Sequence, residues 1–514
     1  MNPRILLRSV IVLAALGYAA YMFVAKPANP AASRVAAAIP ARATGFTLGT
    51  LKFSACELPQ AKSGATTSAF CAPFSVPENR DQAQARTIAL KLALIKSDAA
   101  AADSDIVVFL AGGPGQSAIA TWPEISYAFA PLRKHHHVLL LDQRGTGGSN
   151  PLTCTPDGKQ SPPGMDEGFD PAQMDARTRA CLAAVKEKGD PTQYTTSAAV
   201  ADLEAVRQAL GAPQFDLVGV SYGTRMAQQF TMRHPDGVRS VVLDSVAPNE
   251  IALGEDFAVN LEQALKAQFA QCAKTPACSK AFGDPYATLG KLRAELRAHP
   301  RDFAFRDPVS FAAAHRQINE GVLAGLVRMF AYTPESAALL PLSIAEADKG
   351  NLAPLVGQAQ ILTGDLAGLA DSGMQLSVIC SEDADQLAPR PQDADLVLGV
   401  AMIEGLRSAC AIWPKGTRPE DFHKPLATDK PVLVLEGELD PVTPPRYGEQ
   451  VMKTLRNARL IVANGQGHNV IGRGCLPKLV GEFVEKLTPN ALDTKCVDAL
   501  GPMPAFVDFN GAAP

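Results

Sequence analysis

A pentapeptide of sequence GVSYG, at residues 219–223, most constrains how this chain can fold. It directly follows the apolar run 215–218 and precedes a stretch, ending near Arg233, that is typical of a helix. The glycines allow a sharp turn from strand to helix because they carry no Cβ atom that would clash with the backbone. Such a turn exposes its central side chain above the sheet and directs the first helical amides toward negative charge. Ser221 is therefore our candidate nucleophile, although the same motif also arises by chance in glycine-rich chains.

A glycine-rich segment upstream offers the amides that such a nucleophile needs. Residues 106–110 (IVVFL) predict a buried strand, and they lead directly into residues 111–115 (AGGPG). Backbone amides left free in a turn of this kind can donate hydrogen bonds to the oxyanion that forms during attack on a carbonyl group. We therefore expect an oxyanion hole made from the amide of Tyr222, which follows the nucleophile, and from an amide of Gly112 or Gly113.

Two segments near the C-terminus supply candidates for the acid and the base. The apolar run 431–435 leads into Asp440, and the apolar run 460–463 leads into His468. Because the carboxyl ends of parallel strands share one edge of a sheet, where ligands bind, both side chains can meet Ser221 there. We predict that His468 takes the proton of Ser221 and that Asp440 orients the imidazole. Taken singly, each of these two residues could also be an ordinary turn residue.

The resemblance to a known family rests on several motifs together. They are GGPG at 112–115, DQRGTG at 142–147, GVSYGT at 219–224, Asp440, and the pair Gly467-His468. This set resembles the proline iminopeptidase and tripeptidyl aminopeptidase branch of the α/β-hydrolases, in which nucleophile, acid and base follow in this order. The resemblance covers roughly residues 45–250 and 425–500. It implies an α/β fold, with a mostly parallel sheet flanked by helices and a large, mainly helical cap inserted into the chain.

We predict four segments from these patterns. Residues 1–40 form an export signal or membrane anchor with a linker, and residues 41–250 form the first part of the hydrolase core. Residues 251–425, in which helical periodicity dominates, form the cap, and residues 426–514 complete the core. Within the first part, residues 151–197 are rich in proline, glycine and charge, so we expect them to wrap the surface.

The N-terminus is typical of an exported protein. Arg4 and Arg8 precede an apolar stretch at about residues 9–25, which is followed by an Ala/Pro-rich segment. The stretch is nearly long enough to cross a thin bilayer, so a retained anchor is the alternative to a cleaved signal. We therefore expect a periplasmic or secreted protein, with attachment to the inner membrane through an uncleaved N-terminal segment as the second possibility.

Ten cysteines support the same conclusion, because an even number in an exported chain suggests disulfides. Spacing alone does not determine the connectivity. Pairing of sequence neighbours is our hypothesis, and a partly reduced set of buried thiols is the alternative. The neighbours are Cys56 with Cys71, Cys154 with Cys181, Cys272 with Cys278, Cys380 with Cys410, and Cys475 with Cys496.

An acidic segment inside the predicted cap is a candidate for substrate binding. In the branch that this chain resembles, acidic groups near the cleft bind the free α-amine of the substrate. That resemblance makes Glu382 the candidate amine-binding residue, with Asp383 and Asp385 behind it. The alternative is a solvated or helix-capping acidic cluster.

Charge and composition exclude several other functions. The formal net charge is −4 at pH 7, and no basic patch or phosphate-binding loop indicates a nucleic-acid partner. The run 135–137 consists of three histidines, but it opens a buried strand and has no further ligand at a suitable spacing, so we expect no metal. We likewise expect no cofactor.

The sequence thus predicts an exported serine hydrolase that acts on a peptide or small ester substrate. The resemblance favours an aminopeptidase that releases N-terminal residues or short peptides through an acyl-enzyme. A carboxylesterase or lactonase acting on small apolar esters is one alternative, because fold and triad do not distinguish amides from esters. A catalytically silent relative that serves as a binding module is the other.

Overall fold

The computed structural model describes residues 44–59, 66–99, 105–154, 171–306, 311–358 and 372–512. The described residues from Thr47 onward belong to one compact unit. The predicted export signal and anchor lie outside the described residues. Among the helices that are described, none is both long enough and apolar enough to cross a bilayer.

Ten strands form the central sheet, in the order β1-β2-β3-β4-β6-β5-β7-β8-β11-β12. Strands β2 to β4 pair antiparallel and β4 pairs antiparallel with β6, whereas β6, β5, β7, β8, β11 and β12 run parallel to their neighbours. The separate strands β9 and β10 form an antiparallel hairpin. The bounds are β1 Gly45–Leu48, β2 Leu51–Pro59, β3 Thr66–Pro77, β4 Thr87–Ile95, β5 Ile106–Leu110, β6 His137–Leu141, β7 Phe215–Val220, β8 Val238–Asp244, β9 Arg301–Arg306, β10 Ala313–Ile318, β11 Val432–Gly437 and β12 Ala458–Ala463.

Helices connect the parallel strands and fill the segment between β8 and β11. Their bounds are α1 Ala118–Ile125, α2 Ala130–Arg133, α3 Pro171–Lys188, α4 Thr196–Leu210, α5 Tyr222–Arg233, α6 Phe257–Lys274, α7 Pro276–Phe282, α8 Pro285–Ala298, α9 Glu320–Phe330, α10 Pro334–Ala337, α11 Leu340–Asp348, α12 Ser372–Glu382, α13 Ala401–Ile412, α14 Pro445–Met452 and α15 Leu476–Lys486. This arrangement confirms the predicted α/β class with a mostly parallel sheet flanked by helices. Helix α3 lies in the region that we expected only to wrap the surface.

Helices cover both faces of the sheet. Helices α1 and α15 share one hydrophobic cluster with alternate residues of the parallel strands, among them Val218 and Val220 of β7. Successive side chains of a strand point to opposite faces, so Phe215 of β7 faces the other way. Its ring lies 6.4 Å from that of Phe230 on α5, which places α5 on the opposite face. The nucleophile segment therefore lies between two packed layers.

The segment between β8 and β11 has a hydrophobic cluster of its own. It is built mainly from helices α6, α8, α9 and α11, and residues such as Leu261, Leu292 and Phe330 are fully buried in it. The β9–β10 hairpin lies in the same segment and was not anticipated from the helical periodicity. A core of this kind stabilises the segment, because buried apolar area is the main stabilising contribution.

Five disulfides link the ten cysteines, each joining sequence neighbours. The hypothesis of neighbour pairing is therefore confirmed, and the alternative of buried free thiols is not. Cys56–Cys71 links β2 to β3, and Cys380–Cys410 links α12 to α13. Disulfides persist in oxidising compartments, so these bridges favour a location outside the cytoplasm.

Candidate active site

Ser221 occupies a tight turn between β7 and α5. Its φ angle is +55°, a left-handed conformation that is costly for a residue with a side chain. The flanking glycines are required by close backbone contacts, because a Cβ atom on Gly223 would lie 2.1 Å from the carbonyl oxygen of Leu110. A Cβ atom on Gly219 would lie 2.5 Å from the carbonyl oxygen of Gly223. The turn therefore fits against β5 only with glycine at both positions, and it leaves Ser221 partly exposed.

Two contacts at hydrogen-bond distance link the side chains of the predicted site, one from Ser221 to His468 and one from His468 to Asp440. His468 Nε2 is 3.0 Å from Ser221 Oγ, and His468 Nδ1 is 2.7 Å from Asp440 Oδ2. Asp440 follows β11 and His468 follows β12, so both come from loops at the carboxyl edge of the parallel strands. The structure thus brings together the three side chains that the sequence predicted would meet.

The Asp440 carboxylate is held in place by four donors. Its Oδ1 atom accepts hydrogen bonds from the amides of Val442 and Thr443. Its Oδ2 atom accepts one from Thr443 Oγ1 at 3.0 Å, in addition to the one from His468. Thr443 Oγ1 also lies 3.2 Å from His468 Nδ1. Sequence reasoning missed Thr443, although its place three residues after the acid, in a proline-rich turn, is a local signal.

The loop that carries His468 is fixed from two sides. The Asp244 carboxylate at the end of β8 accepts hydrogen bonds from the amides of Val470 and Ile471. The His468 amide donates to the carbonyl oxygen of Tyr332 at 2.8 Å, which ties this loop to the residues just after α9. These contacts restrict the position of the imidazole before any substrate binds.

Two further carboxyl groups are buried close to Asp440. Burial raises the pKa of Asp244 to about 6, against the lowering effect of the two amide donors. Burial, and then the charge of Asp440, raise the pKa of Glu436 well above its usual range. Glu436 Oε1 accepts a hydrogen bond from the amide of Val246. Despite these acids, the described part of the chain has no group of three His, Cys, Asp or Glu side chains arranged to hold a metal ion.

The predicted oxyanion donors lie beside the nucleophile. Tyr222 is the first residue of α5, where backbone amides have no partner within the helix. Gly112 lies against the elbow, since a Cβ atom added to it would be 3.1 Å from Ser221 Cβ. Gly113 comes next, with a φ angle of +107° that favours glycine, and it is exposed. Amides of these residues can therefore donate to the oxygen of a carbonyl group whose carbon atom Ser221 attacks.

A buried aspartate holds the glycine-rich segment next to the end of β6. Asp142 Oδ1 accepts hydrogen bonds from Ser117 Oγ and from the Ile119 amide, and Oδ2 accepts one from the Gly148 amide. Burial raises the pKa of Asp142, and these donors oppose the shift. The geometry of two loops thus depends on one buried side chain.

Two of the three acidic residues at the end of α12 lie in the interior of the protein, and the third is exposed. Glu382 and Asp383 are fully buried, and the Asp383 carboxylate pairs with Arg225 at 2.9 Å. Asp385 is exposed and pairs with Arg418 at 2.6 Å. Two of the three predicted amine-binding carboxylates therefore already have an arginine partner.

Glu382 differs from its neighbours because it binds a helix start instead of an arginine. Its carboxyl oxygens accept hydrogen bonds from the Thr196 amide at 2.6 Å and from Thr196 Oγ1 at 2.9 Å. The hydroxyls of Thr196 and Tyr222 are 2.6 Å apart, so Glu382 is linked to the residue that follows the nucleophile. Burial, and then the charge of Asp383, raise the pKa of Glu382 to about 8.

Comparison with known proteins relates this chain to hydrolases. Residues 105–343 match the family model for the α/β hydrolase fold, and residues 395–496 match the model for TAP-like proteins. Ser221 lies within the first range, and Asp440 and His468 lie within the second. The three side chains of the site therefore fall inside the two segments that match these family models.

Three relatives indicate the range of the similarity. The chain is 27% identical over 437 residues to a putative hydrolase, YuaR, of Escherichia coli K12, covering 80% of this chain and 84% of the relative. It is 24% identical over 434 residues to a tripeptidyl aminopeptidase of Streptomyces lividans, covering 77% and 78%. It is 24% identical over 468 residues to serine protease Hip1 of Mycobacterium tuberculosis H37Rv, covering 83% and 87%.

Proposed function

We propose that this chain, which has the α/β-hydrolase fold and a TAP-like segment, is an exported serine aminopeptidase. It releases N-terminal residues or short peptides from peptide substrates. Ser221 is the nucleophile, His468 is the general base and then the general acid, and Asp440 orients and stabilises the imidazole.

The proposed chemistry proceeds in two halves through an acyl-enzyme. Ser221 Oγ attacks the scissile carbonyl carbon while His468 Nε2 takes the hydroxyl proton. The C–N bond then breaks as His468 returns that proton to the leaving amine, and the acyl group stays on Ser221. Water repeats the attack in the second half, with the same imidazole as base, and releases the N-terminal fragment. The amides of Tyr222 and of Gly112 or Gly113 stabilise the oxyanion in both halves.

The observation that carries the proposal is the pair of distances from His468, 3.0 Å to Ser221 Oγ and 2.7 Å to Asp440 Oδ2. A base must lie within hydrogen-bond reach of the proton that it removes, and these atoms satisfy that requirement. The buried Asp440 would also stabilise the imidazolium that forms, because charge interactions are stronger away from water.

Peptide bonds, rather than esters, are proposed as the substrate on the basis of similarity. Two relatives, one named as a tripeptidyl aminopeptidase and the other as a serine protease, each match more than three quarters of this chain. The five disulfides support export, and we propose a periplasmic or secreted location.

We keep Glu382 as the proposed counter-charge of the substrate amine, with Asp383 and Asp385 behind it. Of these three carboxyl groups, Glu382 alone has no arginine ion pair among the described residues. An amine would reach it by displacing the Thr196 contact, and the positive charge would favour the ionised carboxylate. Glu382→Gln should then reduce the preference for free amino termini at least tenfold, and an unchanged preference would limit Glu382 to the Thr196 contact.

The proposal is tested with three matched substrates: a peptide amide with a free N-terminus, its N-acetylated form, and a short p-nitrophenyl ester. We expect rapid cleavage of the free-amine peptide and slow cleavage of the acetylated one, with both activities lost in Ser221→Ala. Ester hydrolysis with both peptides intact would instead identify an esterase. Absence of all three activities in a folded protein would indicate a silent binding module.

A further inference from the structure

Arg328 stands close to the proposed catalytic centre, and no carboxylate of the described ranges is its partner. Its guanidinium carbon lies 4.7 Å from the ring centre of Phe257 and 5.5 Å from the ring centre of Tyr332. Contacts of this kind attract a cation to the face of an aromatic ring and also fix its position. The side chain as a whole is only partly buried.

Tyr332 contacts both the Arg328 guanidinium and His468. The two rings meet edge to face with their centres 5.5 Å apart, and the Tyr332 carbonyl oxygen accepts the hydrogen bond of the His468 amide. The guanidinium is therefore two ring contacts away from the imidazole, each of 5.5 Å. That separation suits a group that binds the substrate beyond the scissile bond rather than at it.

Other arginines of the protein are neutralised by carboxylates. Arg225 pairs with Asp383, and Arg293, on the helix packed against α9, pairs with Glu320. Within the described ranges, by contrast, Arg328 Nε is buried without a hydrogen-bond partner and no carboxylate forms an ion pair with the guanidinium. Guanidinium groups carry five donors in a planar fork that matches a carboxylate. A carboxylate from outside the protein would supply the missing partner.

The position of Arg328 indicates which part of the substrate it contacts. In the proposed reaction His468 gives its proton to the leaving amine, so the leaving part must lie against the imidazole. The Tyr332 ring packs on that imidazole, and the Arg328 guanidinium in turn packs on the Tyr332 ring. We propose that Arg328 binds a carboxylate in the leaving part of the substrate, which is either the peptide's C-terminus or an acidic side chain close after the scissile bond. This inference rests on the proposed function, because it requires His468 to act on a leaving amine.

The test uses peptides with a free N-terminus and one common acyl part. The two peptides of the first pair end shortly after the scissile bond, one in a carboxylate and the other in a carboxamide. The two peptides of the second pair both end in a carboxamide, and they carry either aspartate or asparagine shortly after the scissile bond. A p-nitroanilide with the same acyl part supplies a leaving group without a carboxylate. We expect kcat/KM to favour one carboxylate member at least tenfold, about the effect of one charge-assisted hydrogen bond. The pair that responds identifies the source of the carboxylate.

Three variants then locate the effect. Arg328→Gln should bring the ratio of kcat/KM for the acidic substrate to kcat/KM for the neutral substrate toward one. Arg328→Lys should retain part of this preference because the positive charge remains. Arg297→Gln is the matched control, since Arg297 is exposed and already paired with Glu320, and its ratio should equal that of the wild type. Added salt should reduce the wild-type ratio.

Two results would overturn the inference. The first is equal kcat/KM for the acid and the neutral member of both pairs in the wild type, which needs no variant. The second is an acid preference that survives in folded Arg328→Gln. Hydrolysis of the p-nitroanilide separates these outcomes from failure of the proposed function, because an enzyme without peptidase activity would not cleave that substrate either.

Discussion

The Nδ1 atom of His468 lies 2.7 Å from Oδ2 of Asp440, and this contact fixes which imidazole nitrogen faces Ser221. When Nδ1–H donates to the carboxylate, Nε2 keeps its lone pair and can accept the serine proton. The order of atoms in this chain of contacts thus determines the tautomer that the proposed reaction requires.

Asp440→Asn should lower kcat by about 10,000-fold, because an amide in place of the carboxylate favours the wrong tautomer and leaves the imidazolium unstabilised. Steady-state kinetics on the free-amine peptide measures the loss, and thermal unfolding checks that the variant folds. A kcat within tenfold of the wild type would exclude Asp440 as the acid of the triad.

Thr443→Val removes one donor to Asp440 Oδ2 while preserving the shape of the side chain. A hydrogen bond to a charged group is typically worth enough to lower kcat about tenfold when it is lost. Thr443→Ser keeps the hydroxyl and is the matched control, for which we expect nearly full activity. Equal kcat values for the valine and serine variants would mean that the hydroxyl does not position the acid.

Glu382 should make the folded protein less stable as the pH rises. Its pKa is about 8 in the folded state and 4.5 when unperturbed, so the folded state holds the proton more tightly. The stability it contributes is complete below about pH 4.5 and is lost as the pH passes through 8, with a slope of at most about 1.4 kcal/mol per pH unit.

Glu382→Gln cannot ionise, so its free energy of unfolding should fall less steeply between pH 5 and 8 than that of the wild type. Urea unfolding of both proteins at several pH values measures the difference. Parallel curves would show that the Glu382 carboxyl titrates alike in the folded and unfolded states.

The disulfide between Cys475 and Cys496 should contribute measurably to stability. It closes a loop with a sequence separation of 21 residues that contains α15, which packs on the sheet. Replacing both cysteines with alanine should lower the free energy of unfolding by about 3 kcal/mol, mainly because the unfolded chain gains freedom. Denaturant titration without reductant makes the comparison, and an unchanged midpoint would argue against this contribution.

Much of the fold and site could be predicted because the informative patterns are local. Each of Ser221, Asp440 and His468 follows a short apolar run, and the glycines that the turn at 219–223 needs are visible in the sequence. Parallel strands then bring the three loops to one edge without further information.

Other features depend on contacts that no local pattern records. Helix α3 was missed because its buried stripe is sparse and partly polar, at Thr178, Cys181 and Val185, while the rest of the helix is rich in charge. The contact of Tyr332 with His468 joins residues from two distant segments, so only the folded structure reveals it.

The most direct test of the central claim is covalent labelling of Ser221 with a fluorophosphonate, located by mass spectrometry of the digested protein. We predict a single modified residue, Ser221, with labelling abolished in Ser221→Ala and strongly slowed in Asp440→Asn. Labelling at another residue, or none in the folded wild-type protein, would contradict the assignment of Ser221 as the nucleophile.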